Sequence, residues 1–240
     1  MDWSRYFVVL ITQAVAALFF IIIIYKLLKR RKDQSSILLS CFYLSLTLAF
    51  IMNILTVTLI FSNSNLADLI KTFYILLSFL ILFGFAFLVV FILDLYYVQS
   101  LIKSMKGQVF ILMYGIFSFC VFYIPGALSF IGDEFTIQYS FELSIVLYIF
   151  CTFSSILPSI IFIQKILKSI KHPSLRKKYK RFIWGLFGVY LDLYGAILYN
   201  TWHNPIYRSI WGILTTFILL SSAYLIYIGI GRDISPSDKL

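Results

Sequence analysis

The sequence predicts an all-α fold: a polytopic membrane protein in which one domain, residues 1–240, forms a seven-transmembrane helix bundle. Three observations predict this fold class. Seven apolar runs each reach the roughly 20 residues that a helix needs to cross a bilayer core. The chain is 61% hydrophobic with a mean hydropathy of +0.95, and a soluble domain of this size cannot bury so much apolar surface. The basic residues concentrate in alternate loops, as in membrane proteins of fixed orientation.

The seven predicted spans follow one another with short connections. They cover about residues 6–27, 37–61, 69–95, 108–127, 142–168, 181–201 and 206–230. The first span resembles a signal peptide with a small-residue cleavage site near Ala16. However, its apolar run continues to Tyr25 and then meets five basic residues, which is a stop-transfer pattern. We therefore expect the first span to be retained.

The basic residues also predict the orientation of the bundle. Seventeen of the 20 lie in the loops after spans 1, 3 and 5 or in the C-terminal tail, whereas Arg5, Lys71 and Arg208 lie on the other side. The positive-inside rule then places the N-terminus outside and the C-terminus in the cytoplasm. We expect the protein to reside in the plasma (cytoplasmic) membrane. The lipid bilayer is the expected partner. No nucleic acid is expected, because the charges follow the topology rather than one folded surface.

The predicted loop over residues 165–181 is the most basic segment of the chain, with eight Lys and Arg residues. One interpretation is a binding site for a cytoplasmic protein partner or for anionic lipid. The other is that these charges only set the topology, which the positive-inside rule alone explains. Both interpretations remain open at this point.

A short internal echo raises the hypothesis of a 3+1+3 repeat. The segment IIIIYKLLK at 21–29 matches IIFIQKILK at 160–168 with an offset of 139 residues. The same offset aligns spans 1–3 with spans 5–7 and leaves span 4 as a linker. Repeats of this kind build bundles with a binding site between the two halves. Because apolar helices of equal length also align by chance, duplication and coincidence both stay open.

Asp192 is the only charged residue near the centre of a predicted span, and such a residue usually faces a bundle interior or a watered cavity. The offset pairs it with Asn53 and pairs Gln13 with Thr152, and all four lie roughly 12 Å from the outer ends of their helices. With Tyr199 on the face of Asp192, these residues form a predicted binding layer for a small polar or cationic ligand. The alternative is that a neutral Asp192 carboxyl joins helices by a hydrogen bond to Asn53 or a tyrosine.

Two further patterns predict packing and a hinge. Gly185, Gly188 and Gly195 share one helical face with Asp192, and small residues allow a neighbouring helix to approach closely. Pro158 lies within span 5 among several serines and predicts an interruption there, because proline removes a helix hydrogen bond. That interruption is interpreted either as a hinge or as ordinary scaffolding.

The residue types that most catalytic sites need are poorly placed. The two histidines, His172 and His203, lie in loops on opposite sides of the predicted membrane, so they cannot share a metal. The cysteines show no CxxC spacing: Cys41, Cys120 and Cys151. We therefore expect no enzyme, no metal site and no cofactor.

In size, in topology and in the basic residues Arg232 and Lys239 after the last span, spans 1–7 resemble the seven-helix sensor region that precedes many microbial histidine kinases. The resemblance implies a receptor-like function in signal transduction, in which an external ligand shifts helices that contact a cytoplasmic partner. Because the sequence ends ten residues after Ile230, the output module is expected to be a separate protein.

The alternative function is a small transporter of polar or cationic solutes. Short loops and the 3+1+3 layout favour transport, because the two halves would rock about a central site. The long basic loop 165–181 and the location of the polar layer in the outer half favour sensing. Both functions use the same predicted residues, so the sequence does not decide between them.

Overall fold

The computed structural model of the chain describes residues 3–30, 33–62, 66–97, 104–131 and 136–231. Within these ranges, seven helices are long and apolar enough to cross a membrane, which confirms the predicted number of spans. The chain is therefore a polytopic, mainly helical membrane protein, and its described residues also form one short strand pair.

The structure sets the bounds of eight α-helices and two strands. In chain order these are α1 (Trp3–Arg30), α2 (Gln34–Ser62), α3 (Ala67–Tyr97), α4 (Met105–Cys120), β1 (Leu128–Ile131), β2 (Thr136–Tyr139), α5 (Phe141–Cys151), α6 (Leu157–Ser169), α7 (Pro173–Thr201) and α8 (Pro205–Ile226). A π-helical turn, Thr152–Ile156, joins α5 to α6, so that these two helices form one fifth span. A second π-helical turn, Tyr227–Gly231, extends α8.

Helix α3 is the central helix of the bundle. Its most apolar stretch is 67% buried, whereas the corresponding stretches of α1, α4 and the fifth span are only 22–28% buried. It packs against α2, α4 and α6, and it contacts α7 through the stacked rings of Phe85 and Tyr190, whose centroids are 5.5 Å apart. A helix that is apolar on all sides is suited to this central position.

The other helices close the bundle around this centre. Helix α1 packs on α2 and on α8, and α8 pairs closely with α7. The Tyr43 hydroxyl of α2 donates a hydrogen bond of 2.9 Å to the Ala223 carbonyl of α8. The proposed repeat makes α3 and α8 equivalent, yet the apolar stretch of α8 is only 33% buried, half the value for α3. The structure therefore gives the internal repeat no support.

A short β-hairpin closes one end of the bundle, where the sequence predicted only a loop. Strands β1 and β2 pair antiparallel, with Leu128 opposite Tyr139. Ile137 and Tyr139 are buried, and the Tyr139 hydroxyl shares a hydrogen bond of 3.2 Å with the hydroxyl of Ser78 on α3. Burial raises the pKa of the Tyr139 phenol, which therefore stays neutral as a hydrogen-bond partner. We call this the hairpin end, and the opposite end, where α1, α3 and α6 finish, the basic end.

The segment 165–181 differs from the predicted loop. Helix α6 continues to Ser169 and α7 begins at Pro173, so only Ile170–His172 connects them. Proline at the first position of α7 favours helix initiation, and Lys and Arg are good helix formers. The predicted basic loop is therefore mostly helical. Five of the eight basic residues of the segment 165–181 lie in the first turns of α7, namely Arg176, Lys177, Lys178, Lys180 and Arg181.

Candidate functional site

Asp192 lies in the contact between α7 and α8. Its side chain is partly buried, and its Oδ1 accepts a hydrogen bond from the Thr215 hydroxyl of α8. The two helices run antiparallel, since Gly195 lies beside Trp211 and Gly185 lies beside Ile226. The carboxyl group at membrane depth therefore faces a neighbouring helix.

Three glycines of α7 allow α8 to pack closely against it. A Cβ atom on Gly185 would lie 2.7 Å from the backbone oxygen of Ser222, and one on Gly188 would overlap the Ser222 hydroxyl. A Cβ atom on Gly195 would overlap the indole ring of Trp211. The glycines thus share the α8-facing side of α7 with Asp192. We call this contact the α7–α8 seam; it comprises Gly185, Gly188, Asp192, Gly195, Trp211, Thr215, Ser222 and Ile226.

Thr152 faces a different side of α7. Its hydroxyl donates a hydrogen bond of 2.6 Å to the Tyr148 carbonyl and shares another with the hydroxyl of Tyr194. Tyr194 follows Asp192 by two residues, and two residues turn an α-helix by about 200°. Thr152 therefore packs against a face of α7 nearly opposite to the face that carries Asp192.

Gln13 and Asn53 lie at the same depth as Asp192. Each of the three is about ten residues from the end of its helix at the hairpin end, which corresponds to about 15 Å. Gln13 shares the buried face of α1 with Ala16 and Phe20, and its Oε1 is buried without a hydrogen-bond partner in the described part of the chain. Asn53 is partly buried on α2.

The hydrogen bonds of the described residues join no two members of the predicted layer to each other. Asp192 pairs with Thr215, and Thr152 pairs with tyrosines. Tyr199 lies on the Asp192 side of α7 and contacts Arg208, whose guanidinium carbon is 4.7 Å from the centre of the ring. What the layer shares is its depth, and the group that most needs a partner is the Gln13 oxygen.

The fifth span is interrupted beside Pro158, as its sequence predicts, and the interruption is a π-helical turn. Pro158 is the second residue of α6 and lies two residues after the last residue of the turn Thr152–Ile156. A proline ring crowds the carbonyl four residues earlier, here that of Ser154, and the wider π-helical turn accommodates it. Such turns are frequent at functional sites.

This turn supports a buried polar network that sequence reasoning missed. The Tyr190 hydroxyl shares a hydrogen bond of 2.6 Å with Ser159, and the Tyr114 hydroxyl shares one of 2.9 Å with Ser155. We call these four residues the tyrosine–serine network. It joins α4, the fifth span and α7 around the π-helical turn. In the sequence this network is visible only as two serines one helical turn apart. Such serines resemble other small core residues until their tertiary partners are known.

A second buried carboxyl group lies near the basic end. Asp94 on α3 is 6% exposed and accepts a hydrogen bond from the Ser35 hydroxyl at the start of α2. Ser35→Ala leaves this carboxyl without that donor, so we expect the substitution to destabilise the protein by about 1–3 kcal/mol. Thermal unfolding in detergent measures the effect. The matched control is Ser221→Ala, at an exposed serine of α8 that bonds only to its own helix, and equal losses for both variants would contradict the prediction.

An apolar groove of about 570 Å³ lies between α3 and α4. Its wall includes Phe79, Phe83 and Ile116, and none of its lining residues belongs to α7 or α8. These side chains suit a lipid acyl chain, and they offer little to a polar ligand. The groove is therefore separate from the α7–α8 seam.

No protein-family model matches the chain, and no curated protein matches it. Among the described residues, no group of three or more His, Cys, Asp and Glu side chains is placed to hold a metal ion. The fold and the seam define the class of the protein as a seven-helix integral membrane protein with a carboxyl group at membrane depth.

Proposed function

We propose that the chain is a receptor-like membrane sensor with its N-terminus outside and its C-terminus in the cytoplasm. A small polar ligand binds beside Asp192, and α7 transmits the change to a cytoplasmic protein partner. The observation that carries this proposal is the continuity of α7, which bears both Asp192 and the basic cluster that begins at Arg176.

The length of α7 makes it suited to this role. Its 29 residues span about 43 Å, and Asp192 lies about 28 Å from the first residue, Pro173. No π-helical turn interrupts it, in contrast to the fifth span and the end of α8. A shift or rotation at Asp192 is therefore carried to the basic end as a rigid-body movement, which is a common form of switching transition.

The groups around Asp192 favour a ligand that donates hydrogen bonds or carries a positive charge. The Asp192 carboxyl has one described donor, Thr215, and a carboxylate has room for several. Helix α1, which packs on α8, offers the unpaired Oε1 of Gln13 at the same depth. Acceptors without donors are typical of a site for an amine.

A small transporter of polar or cationic solutes is the second candidate. The interrupted fifth span favours it, because transporters often place a broken helix at the substrate site. Transporters that work by a rocking motion are usually built from two equivalent halves. Here α3 is far more buried than α8, its counterpart in the other half, and this asymmetry favours the sensor. Counterflow of labelled hexylamine into proteoliposomes tests transport, and uptake that requires Asp192 would favour the transporter.

A thermal-shift assay on the full chain in dodecyl maltoside tests the binding site. We expect hexylamine to raise the unfolding temperature of the parent and to leave that of Asp192→Asn unchanged, because the variant loses the acceptor charge. Asp94→Asn is the matched control, since it makes the same change at the other buried carboxyl and is expected to keep the shift. An unchanged shift in Asp192→Asn, or an equal loss in both variants, would contradict the proposal.

A further inference from the structure

Three buried nitrogen atoms that lack partners lie close together in sequence at the start of α8 and just before it. Within the described ranges, Nε of Arg208, Nε1 of Trp211 and Nε2 of His203 are buried and form no hydrogen bond. Buried polar groups without partners are rare, and three within nine residues of chain point to a group that binds there. Arg208 and Trp211 can only donate, so that group is an acceptor.

The surroundings of Arg208 favour an anionic acceptor. Its guanidinium lies over the ring of Tyr199, and its buried Nε–H has no hydrogen-bond partner among the described residues. An arginine fork matches a carboxylate with two parallel hydrogen bonds. Trp211, one helical turn further along α8, adds an indole N–H. Aromatic rings of Trp202 and Tyr207 lie beside this region, with centroids 5.5 Å apart.

The same helix face leads from Arg208 to the partner of Asp192. Arg208, Trp211 and Thr215 lie on one side of α8 at helical spacing, and the seven residues from Arg208 to Thr215 correspond to about 10 Å. Tyr199 and Asp192 have the same seven-residue spacing on the facing side of α7. A cationic side chain at the start of α8 and the Asp192 carboxyl group of the seam therefore lie about 10 Å apart along the facing sides of these helices.

We propose that a zwitterionic ligand binds along the edge of the α7–α8 seam, where Arg208 and Asp192 are only partly buried, with its carboxylate on Arg208 and Trp211 and its amine on Asp192. This inference rests on the proposed function and names its ligand class: an ω-amino acid whose two charges are separated by several methylene groups. Glycine and other α-amino acids place the two charges too close together to reach both ends of the site.

Isothermal titration of the full chain in dodecyl maltoside tests this pairing. The probes are glycine, 4-aminobutanoate, 6-aminohexanoate, hexylamine and hexanoate. We expect the parent to bind 6-aminohexanoate more tightly than hexylamine, hexanoate and glycine. Arg208→Gln should weaken 6-aminohexanoate about 10- to 100-fold while binding hexylamine like the parent, which also shows that the variant is folded. Lys71→Gln, which removes an exposed cation at the same end, should change neither affinity.

Each other outcome overturns the inference in a distinct way. Equal binding of hexylamine and 6-aminohexanoate, unchanged in Arg208→Gln, removes the carboxylate site and leaves the proposed amine site standing. Binding of hexanoate as tight as that of 6-aminohexanoate, with no binding of hexylamine, removes the amine contact and contradicts the proposed function as well. Binding of dioctanoyl phosphatidylglycerol through Arg208, with no binding of ω-amino acids, shows that a lipid phosphate occupies the cluster. Failure of every probe to bind overturns both proposals.

Discussion

Gly185→Leu is expected to cause a large loss of stability by forcing apart the two helices of the α7–α8 seam. A Cβ atom at this position would lie 2.7 Å from the Ser222 carbonyl oxygen and 2.8 Å from the Ile226 nitrogen. Both are backbone atoms, so no side-chain rotation relieves the clash and the two helices must separate. Overpacking of this kind typically costs about 1–3 kcal/mol, and the loss of α7–α8 contacts adds to it. The measurement is the unfolding temperature in detergent.

Gly212→Leu is the matched control for this prediction. Gly212 lies on α8, and among the described residues no neighbouring atom lies within 4 Å of the position that a Cβ atom would occupy there. Glycine in a helix interior is about 1 kcal/mol less favourable than alanine, and leucine is nearly as good as alanine. The control variant should therefore be as stable as the parent or slightly more stable. Equal unfolding temperatures for the two variants would mean that the seam is not closely packed.

Tyr190→Ala is expected to cause a loss of stability of similar size outside the seam. The ring is 7% exposed and stacks on Phe85, and the hydroxyl bonds to Ser159 and, at 3.3 Å, to the Ser155 carbonyl. Loss of a buried aromatic ring costs about 3–5 kcal/mol. Tyr190→Phe keeps the ring and removes only the hydroxyl, so about 1–3 kcal/mol is expected.

A lipid-facing aromatic residue of the same helix provides the control for Tyr190. Phe187 is 58% exposed in the bundle, so Phe187→Ala removes a comparable ring with few protein contacts. Equilibrium unfolding should rank the losses as Tyr190→Ala, then Tyr190→Phe, then Phe187→Ala. A loss at Phe187 as large as that at Tyr190 would show that the tyrosine–serine network contributes little.

The number and approximate positions of the spans could be predicted because each bilayer crossing needs a long apolar run. The packed face of α7 was also readable, since Gly185, Gly188 and Gly195 recur with Asp192 at helical spacing and that face meets α8. The start of α7 was less predictable. Its first turns are basic, and hydropathy places a boundary at the membrane surface, near residue 181, while the helix extends beyond it to Pro173.

Other features depend on contacts that a sequence does not display. The hairpin strands are only four residues each, too short for a clear alternating pattern, and the burial of Ile137 and Tyr139 stabilises them. The predicted layer assumed that residues at one depth face one another. Depth follows from counting residues, but the facing direction depends on helix rotation, and this rotation turns Thr152 towards Tyr194 and Asp192 towards Thr215.

The distance between the basic ends of α7 and α1 tests the central claim, that α7 couples Asp192 to the basic cluster. Spin labels at Lys177→Cys and Lys29→Cys report this distance by double electron–electron resonance, with Cys41, Cys120 and Cys151 replaced by alanine. Under conditions in which hexylamine raises the unfolding temperature, the account predicts a shift of about 1–2 Å or more in the distance distribution. It also predicts that Asp192→Asn abolishes this shift. An unchanged distribution in the amine-bound parent would contradict the coupling.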